Sequence, residues 1–144
     1  IRSIKKKKVI VIRNPNFNRP WQHVLEPLNG YLDLGIKLYK NPEKFSGAWN
    51  FGTKKNTITT VKEIVEKIIY FWGYGKLKLA NKNKYYEQTN LQLNINKSKN
   101  KLNWSPKLSI DECIKLTVEW YKAFFLKKNI EKETLNQINF FMKK

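Results

Sequence analysis

An α/β fold, in which short strands alternate with helices, is predicted by three features of this sequence. Residues 9–12 and a few similar segments are short runs of β-branched or alternating apolar residues, as strands are. Longer segments repeat apolar residues with the 3.6-residue period of a helix that buries one face. The two kinds of segment alternate within 144 residues, a length suited to one domain with a modest core.

The first strand and the first long helix are predicted before residue 40. Residues 9–12 are wholly apolar and are soon followed by Pro15, which predicts a buried strand that ends in a loop. A helix is expected from about residue 24 to residue 39. Gly30 and Gly35 weaken such a helix, so they predict the close approach of another element. The face predicted to be buried comprises Val24, Leu28, Tyr31, Leu32 and Tyr39.

A second strand and a second helix are predicted in the middle of the chain. Residues 48–51 have the composition of a strand that ends at Gly52. Thr60 and Glu63 have the spacing of a capping box, which predicts the start of a helix, and Gly73 is expected to end that helix. Its predicted buried face comprises Val61, Ile64, Val65, Ile68 and Trp72.

Two further strands are predicted at residues 77–79 and 91–95, where apolar and polar residues alternate. Residues 81–84 between them are polar and predict a loop. Asn103 is expected to adopt a left-handed backbone conformation, which asparagine tolerates better than most residues.

The last predicted helices follow Ser109. Ser109 and Glu112 have the spacing of a second capping box. The sequence thus predicts one domain over residues 1–126 and a lysine-rich helical tail over residues 127–144. The buried face of the helix after Ser109 is predicted to comprise Ile110, Cys113, Ile114, Thr117, Tyr121 and Phe124.

The formal net charge of +18 suggests nucleic-acid binding, because clustered cations bind a phosphate backbone by releasing counterions. However, the lysines are scattered along the chain, and only three arginines are present. Abundant Lys, Asn and Ile are also typical of an AT-rich genome. We therefore expect no nucleic-acid partner. The alternatives are a basic nucleic-acid-binding module and a non-catalytic remnant or interaction domain.

Residues 13–32 contain the side chains best suited to binding a phosphate. Arg13 and Arg19 are two of the three arginines, and His23 is the only histidine. A planar guanidinium can form paired hydrogen bonds with phosphate oxygens, whereas a lysine ammonium acts as a point charge. The placement of arginine in this segment therefore indicates a phosphate or diphosphate ligand.

Four motifs connect this sequence with a known family. They are RNPNFNRPWQHVLEPLNGYL at 13–32, EKFSGAWNFG at 43–52, LNWSP at 102–106 and TVEWY at 117–121. In this order they resemble the C-terminal half of sugar-nucleotide dehydratases of the extended short-chain dehydrogenase/reductase family. The resemblance extends from residue 1 to residue 125 and implies the C-terminal substrate-binding part of such an enzyme, with the N-terminal Rossmann domain absent.

The resemblance also implies which side chains contact a CDP-hexose substrate. Arg19 aligns with an arginine that resembles a diphosphate clamp in this family, and Arg13 is a second candidate. Tyr86 and Glu87 stand where the family tends to have a His-Glu pair, so Tyr86 is a departure from the pattern. The implied substrate-binding residues are Arg13, Asn14, Arg19, Trp21, His23, Tyr86 and Glu87.

Structural roles are the alternatives for several of these side chains. A tryptophan packs in a core more often than it stacks on a ligand, which applies to Trp21. His23 has no second histidine or carboxylate at metal-ligand spacing, so a structural role is favoured and no metal site is expected. Glu26 is explained by the helix dipole. Cys113, the single cysteine, excludes an internal disulfide and is expected to be a buried hydrophobe.

No catalytic residue or cofactor site is predicted in these 144 residues. The sequence has no G-x-x-G-x-x-G turn for a dinucleotide. Tyr74 and Lys78 have the spacing of the family's catalytic pair but lie beyond its catalytic helix. The resemblance therefore implies that NAD is bound by the missing N-terminal domain. It further implies a dehydration used in deoxysugar and surface polysaccharide synthesis, by an enzyme that is a homo-oligomer when intact.

The remaining features favour a cytoplasmic protein with no membrane partner. No run reaches the roughly 18 apolar residues that span a bilayer, and no secretory leader is recognisable. The chain begins with Ile1 rather than methionine, which indicates a piece of a longer protein. We expect this segment alone to be inactive.

Overall fold

The computed structural model describes residues 1–54, 59–80 and 90–144, and it confirms an α/β fold. These residues contain six helices, two strands and one π-helical turn at Ser98–Leu102. The predicted loop at 81–84 lies outside the described residues. The bounds in chain order are α1 Arg2–Lys5, β1 Ile10–Ile12, α2 Leu25–Lys40, α3 Pro42–Phe45, α4 Val61–Trp72, β2 Leu77–Leu79, α5 Ile110–Phe125 and α6 Ile130–Met142.

The two strands form a parallel pair, in which Ile10 lies opposite Leu77 and Ile12 lies opposite Leu79. Both strands occur where they were expected, but the first is only half buried. Ile12 is buried, whereas Val11 is 58% exposed. Successive side chains of a strand point to opposite faces of the sheet, and only one face of this pair packs on the core of the chain.

The strands predicted at 48–51 and 91–95 are not formed in the part of the chain that the structure describes. A strand needs a neighbouring backbone with which to share its hydrogen bonds. These segments are linked through side chains instead. The Asn50 amide donates to the carbonyl oxygen of Asn94 over 3.3 Å, and the Ser98 hydroxyl donates to the carbonyl oxygen of Asn50.

Two clusters of buried side chains form the core. The first cluster joins α1, α4 and α5 and comprises Ile4, Ile64, Trp72, Ile114 and Val118. The second cluster lies against α2 and comprises Phe45, Phe51, Leu102 and Trp104. The rings of Phe51 and Trp104 meet edge to face with their centroids 4.9 Å apart, an arrangement that aromatic pairs favour.

Helix α2 buries a different face from the one predicted. It packs through Gly30, Leu34 and Leu38, and a Cβ atom on Gly30 would lie 2.3 Å from the Phe51 ring. The close approach predicted at Gly30 is therefore confirmed. At Gly35 nothing in the described chain lies within 4 Å of such an atom, so that prediction is wrong here. The face predicted to be buried is 44% to 92% exposed at all five positions, Val24, Leu28, Tyr31, Leu32 and Tyr39.

Both predicted capping boxes are confirmed. The Thr60 hydroxyl accepts from the Glu63 amide over 3.2 Å, and the Glu63 carboxylate accepts from the Thr60 amide over 2.7 Å. Ser109 and Glu112 exchange the same two bonds over 3.2 and 2.8 Å. Gly73 ends α4 with a left-handed φ of 95°, as predicted. These local signals work because each box satisfies amides that a first helical turn leaves unpaired.

Helix α5 follows its predicted face over the first half only. Cys113 and Ile114 are buried, and burial raises the pKa of the Cys113 thiol to about 11, which keeps it a neutral hydrophobe. Tyr121 and Phe124 are exposed, contrary to the prediction. Because α5 contacts both α4 and α6, its buried side extends over Leu116, Val118 and Ala123.

The predicted helical tail contains α6, which packs on α5. The indole of Trp120 donates to the Thr134 hydroxyl over 2.9 Å, and the Gln137 amide donates to the carbonyl oxygen of Leu116 over 2.9 Å. Gln137 is buried, so its bond matters to the pairing of the helices. The division of the chain at residue 126 stays a prediction.

The capping box of α5 leads to a testable pH dependence. Hydrogen bonds from Lys144 and from Ser109 lower the pKa of Glu112 from 4.5 to about 2. Because the pKa is lowered by folding, these bonds stabilise the protein above pH 4.5, and the gain is lost as the pH falls through about 2. We expect the melting temperature of the wild type to fall more between these pH values than that of Glu112→Gln, as measured by circular dichroism.

The matched variant is Ser109→Ala, which removes the other half of the box. It is expected to lower the free energy of unfolding at pH 7 by about 1 kcal/mol. A difference between the wild type and Glu112→Gln that stays constant from pH 5 to pH 2 would contradict the proposed role of the carboxylate.

Candidate functional site

The loop that follows β1 lies across the first turn of α4. The carbonyl oxygen of Phe17 accepts from the Val61 amide over 2.9 Å, and that of Pro15 accepts from the Lys62 amide over 2.9 Å. These bonds use amide groups that have no partner within the helix. Backbone hydrogen bonds therefore hold this loop, which carries the predicted site residues from 13 to 23, against the start of α4.

Arg19 has the most defined environment among the predicted phosphate-binding residues. Its Nη1 donates to the carbonyl oxygen of Asn18 over 2.7 Å, and its guanidinium lies over the Phe17 ring, 5.4 Å from the centroid. The side chain is half-buried. A guanidinium presents five donors in one plane, so it can serve more than one acceptor at once.

Arg13 and Asn14 lie where β1 ends. Arg13 is exposed, and the carbonyl oxygen of Asn14 accepts from the Phe17 amide over 3.3 Å, which closes a turn. The structure therefore places Arg13, Asn14 and Arg19 on one loop. Their part in binding stays a prediction.

Trp21 and His23 are both bonded to the backbone. Trp21 donates through Nε1 to the carbonyl oxygen of Thr59 over 3.2 Å, and its ring packs against the first cluster. His23 is buried, and its Nδ1 accepts from the Leu25 amide over 3.4 Å. Burial lowers the pKa of His23, which favours the neutral imidazole. Structural functions are thus visible for both, and their contacts with substrate stay predictions.

Glu26 has a structural role that the sequence analysis did not identify. Its side chain is 1% exposed, and its Oε1 accepts from the amides of Lys107 and Leu108 over 2.8 and 2.7 Å. Burial raises the pKa of Glu26, and the two backbone bonds oppose that change. Glu26 therefore holds a turn from late in the chain, in addition to lying in the first turn of α2.

The same contact joins two of the motifs found in the sequence. The indole of Trp104 donates to the carbonyl oxygen of Glu26 over 3.3 Å. Asn103, next to it, has a left-handed φ of 58°, as predicted. The motif around Arg19 and the LNWSP motif are thus in contact. Glu26 has apolar residues before and after it in the sequence, which is a sign of a buried carboxylate. Because a buried carboxylate needs hydrogen-bond donors, this pattern could have indicated a distant contact.

A small cavity of about 40 Å³ lies beside Trp21, Gln22, Glu26 and Lys54. Glu26 Oε2 and Gln22 Oε1 are buried acceptors without a hydrogen-bond partner among the residues that the structure describes. A space of this size accommodates a group as small as a hydroxyl or a water molecule. Gln22 and Glu26 line this cavity, while the guanidinium donors of the segment are at Arg19.

Two predicted site residues, Tyr86 and Glu87, lie outside the described residues. Within residues 1–54, 59–80 and 90–144, no group of three or more His, Cys, Asp or Glu side chains could hold a metal ion. The helices in those ranges are too short or too polar to cross a membrane.

Solved structures define the class to which this fold corresponds. The dTDP-glucose 4,6-dehydratase of Bacillus anthracis, in complex with NAD, matches with a TM-score of 0.65 and 22% identity, over 84% of this chain and 36% of that one. The UDP-glucuronic acid 4-epimerase of Bacillus cereus, in complex with UDP-glucuronic acid and NAD, matches with a TM-score of 0.69 and 17% identity, over 85% and 38%. The chain has the fold of the C-terminal part of extended short-chain dehydrogenases/reductases.

A curated relative narrows this class. The chain is 38% identical over 125 residues to the CDP-glucose 4,6-dehydratase of Salmonella typhimurium, a match that covers 86% of this chain. The chain spans only 35% of the length of that protein. The resemblance predicted from the motifs is confirmed, and the chain is related to CDP-glucose 4,6-dehydratase. No protein-family model matches it.

Proposed function

We propose that this chain is the C-terminal, substrate-binding part of a CDP-glucose 4,6-dehydratase. The observation that carries this proposal is the 38% identity over 86% of the chain. Within this chain, hydrogen bonds hold Arg19 in its loop and Glu26 at the segment of Lys107 and Leu108, which gives the proposed site a defined local architecture.

The whole enzyme would convert CDP-D-glucose to CDP-4-dehydro-6-deoxy-D-glucose and water. Carbon 4 of the sugar is oxidised and carbon 6 is reduced, so the reaction needs no net oxidant. The product is suited to the synthesis of deoxysugars for surface polysaccharides. The enzyme would act in the cytoplasm, as a homo-oligomer.

The residues of this chain do not fit NAD. A dinucleotide pyrophosphate is usually held by a glycine-rich turn between a strand and a helix. Here β1 leads into the sequence Arg13-Asn14-Pro15, which has no glycine. NAD would therefore be bound by the rest of the enzyme, and the contribution of this chain is to grip and orient the nucleotide sugar.

Arg19 is proposed to bind the diphosphate of the substrate. The ring of Phe17 and the bond to the Asn18 carbonyl orient its guanidinium before any ligand binds. Such orientation reduces the entropy lost on binding. Arg13 is proposed to add charge at the same loop, and Trp21, His23, Asn14, Tyr86 and Glu87 are proposed to shape the remainder of the site.

Isothermal titration with CDP-glucose tests the role of Arg19. We expect Arg19→Ala to weaken binding by about 10- to 100-fold, because a hydrogen-bonded charge pair is lost, and Arg19→Lys to recover only part of the affinity. The control is Arg2→Ala, which removes the same charge from an exposed position on α1.

Two results would contradict the proposal. One is equal affinity of the wild type and Arg19→Ala for CDP-glucose. The other is tighter binding of mixed-sequence RNA than of CDP-glucose, with a steep dependence on salt, which would indicate a basic nucleic-acid-binding module.

A further inference from the structure

A groove of about 440 Å³ lies between the start of α2 and the helices α5 and α6. Pockets that bind small molecules have volumes in this range. Of the residues proposed to contact CDP-glucose, only His23 lines this groove. We call it the Trp120 groove. Its lining residues are Gln22, His23, Val24, Leu25, Thr117, Trp120, Tyr121, Thr134 and Gln137.

The Trp120 groove is lined by uncharged side chains. In the part of the chain that the structure describes, no lysine, arginine, aspartate or glutamate lines it, although 28% of the sequence is charged. His23 is neutral as well, because burial lowers the pKa of its imidazole. A charged ligand would lose its hydration here without gaining an opposite charge. The groove therefore suits a neutral ligand.

Trp120 and Tyr121 give the groove an aromatic wall. The Trp120 ring stacks on the Phe124 ring, with centroids 5.5 Å apart and planes inclined by 9°. Its indole nitrogen donates to the Thr134 hydroxyl over 2.9 Å. These contacts fix the ring before any ligand binds, which reduces the entropy lost on binding. A planar ring makes the most extensive contact with such a wall.

Gln137 offers a hydrogen-bond acceptor at the groove. Its side chain is only 5% exposed. Its Nε2 donates to the carbonyl oxygen of Leu116 over 2.9 Å and to the Glu133 carboxylate over 3.2 Å. Because both of those partners are acceptors, they determine which end of the amide is the nitrogen. Oε1 is then left without a donor among the described residues.

His23 offers a hydrogen-bond donor at the same groove. Its side chain is only 6% exposed, and its Nδ1 accepts from the Leu25 amide over 3.4 Å. A neutral imidazole that accepts at Nδ1 carries its proton on Nε2. Within residues 1–54, 59–80 and 90–144, Nε2 has no acceptor. Two buried side chains of opposite hydrogen-bonding character thus line one uncharged groove.

We propose that the Trp120 groove is a binding site for a neutral planar ring that carries a carboxamide or a lactam. Such a group has a carbonyl oxygen and an N–H side by side. The carbonyl oxygen accepts from Nε2 of His23, the N–H donates to Oε1 of Gln137, and the ring lies against Trp120. The site depends on α6, since Gln137 and Thr134 belong to that helix. This gives the C-terminal helix a role in binding.

Benzamide is the probe, because it is a neutral ring with a carboxamide. Titration of the full 144-residue chain is followed by nitrogen-15 NMR at the Gln137 side-chain amide and the Trp120 indole. We expect a dissociation constant of about 1 mM, as for a favourable ligand of this size. Benzoate has the same shape but carries a charge and has no N–H. Its affinity at these two resonances should be at least tenfold weaker.

A substitution at the rim tests where benzamide binds. Val24 lines the groove and is 61% exposed, so Val24→Trp should fill the groove without unfolding the protein. We expect it to weaken benzamide at least tenfold. The matched control is Leu28→Trp, which places the same ring one turn further along α2, at an exposed position outside the groove. It should change the affinity by less than about threefold.

A second substitution tests the hydrogen bond. Gln137→Met keeps a side chain of similar length but removes the acceptor. It should weaken benzamide by about 5- to 10-fold and leave the affinity for toluene, which has the ring without the amide, unchanged. Circular dichroism checks that the variants are folded. If Gln137→Met does not fold, the comparison of Val24→Trp with Leu28→Trp decides.

Three results would overturn the inference. The first is the absence of saturable changes at the Gln137 and Trp120 resonances with benzamide. The second is equal affinity for benzamide and benzoate. The third is an affinity that Val24→Trp leaves unchanged or that Leu28→Trp reduces equally. The inference does not rest on the proposed function, so a failure of CDP-glucose to bind would contradict only that function.

Discussion

Replacing Glu26 with alanine is expected to lower the free energy of unfolding by about 2 to 4 kcal/mol. The substitution leaves the part-buried amides of Lys107 and Leu108 without their acceptor and removes a fully buried side chain. It also releases the turn that carries Trp104, which belongs to the second core cluster. Urea unfolding followed by tryptophan fluorescence measures the effect.

The control for this prediction is Glu26→Gln, which keeps an oxygen to accept the two amide hydrogens but carries no charge. Because burial raises the pKa of Glu26, the charged form is disfavoured in the folded state. The stability that this group contributes is then present below its ordinary pKa of 4.5 and declines as the pH rises through the folded-state value. The free energy of unfolding of Glu26→Gln should therefore increase relative to that of the wild type as the pH rises from 4 to 7.

Two observations would show that Glu26 does not hold the turn. Glu26→Ala would cost less than about 0.5 kcal/mol, which is the range of ordinary surface substitutions. Alternatively, the alanine and glutamine variants would be equally destabilised, which would mean that the hydrogen bonds to Lys107 and Leu108 contribute nothing.

Local sequence signals predicted the structure correctly wherever the cause is local. The boxes at Thr60 and Ser109 and the left-handed residues Gly73 and Asn103 depend only on a few neighbouring positions. Strand 77–79 was also predicted correctly, because its partner β1 is in the same chain. In these cases the sequence contains everything that determines the conformation.

The errors occur where the cause lies elsewhere. Periodicity identified the apolar face of α2, but it could not show that the helix would pack through Gly30 against Phe51. Residues 48–51 have the composition of a strand, yet a strand forms only beside another strand. Both errors have one origin, since composition and periodicity show which side chains are apolar but not which segments they meet in the fold.

The candidate site shows the same division. The sequence identified the loop with Arg13 and Arg19, because scarce arginines in a lysine-rich chain stand out. It did not identify the hydrogen bond between Glu26 and the Lys107 amide, since the two residues are far apart in sequence. Hydrogen bonds between residues so far apart depend on the fold. They produce no short, fixed spacing in the sequence that could be recognised as a motif.

Replacing Gly30 with leucine is expected to lower the free energy of unfolding by about 3 kcal/mol or more. A Cβ atom at this position would lie 2.3 Å from Cδ1 of Phe51, and a leucine adds three further carbons. The Phe51 ring is itself held between Tyr31 and Trp104, with centroids 5.3 and 4.9 Å away, so it has little room to move. Urea unfolding again provides the measurement.

The same substitution at Gly35 separates overpacking from helix propensity. Gly35→Leu lies on the same helix in open space and replaces a poor helix former with a good one. It should raise the free energy of unfolding by about 0.5 to 1 kcal/mol. If both variants were stabilised, Gly30 would not be a close contact.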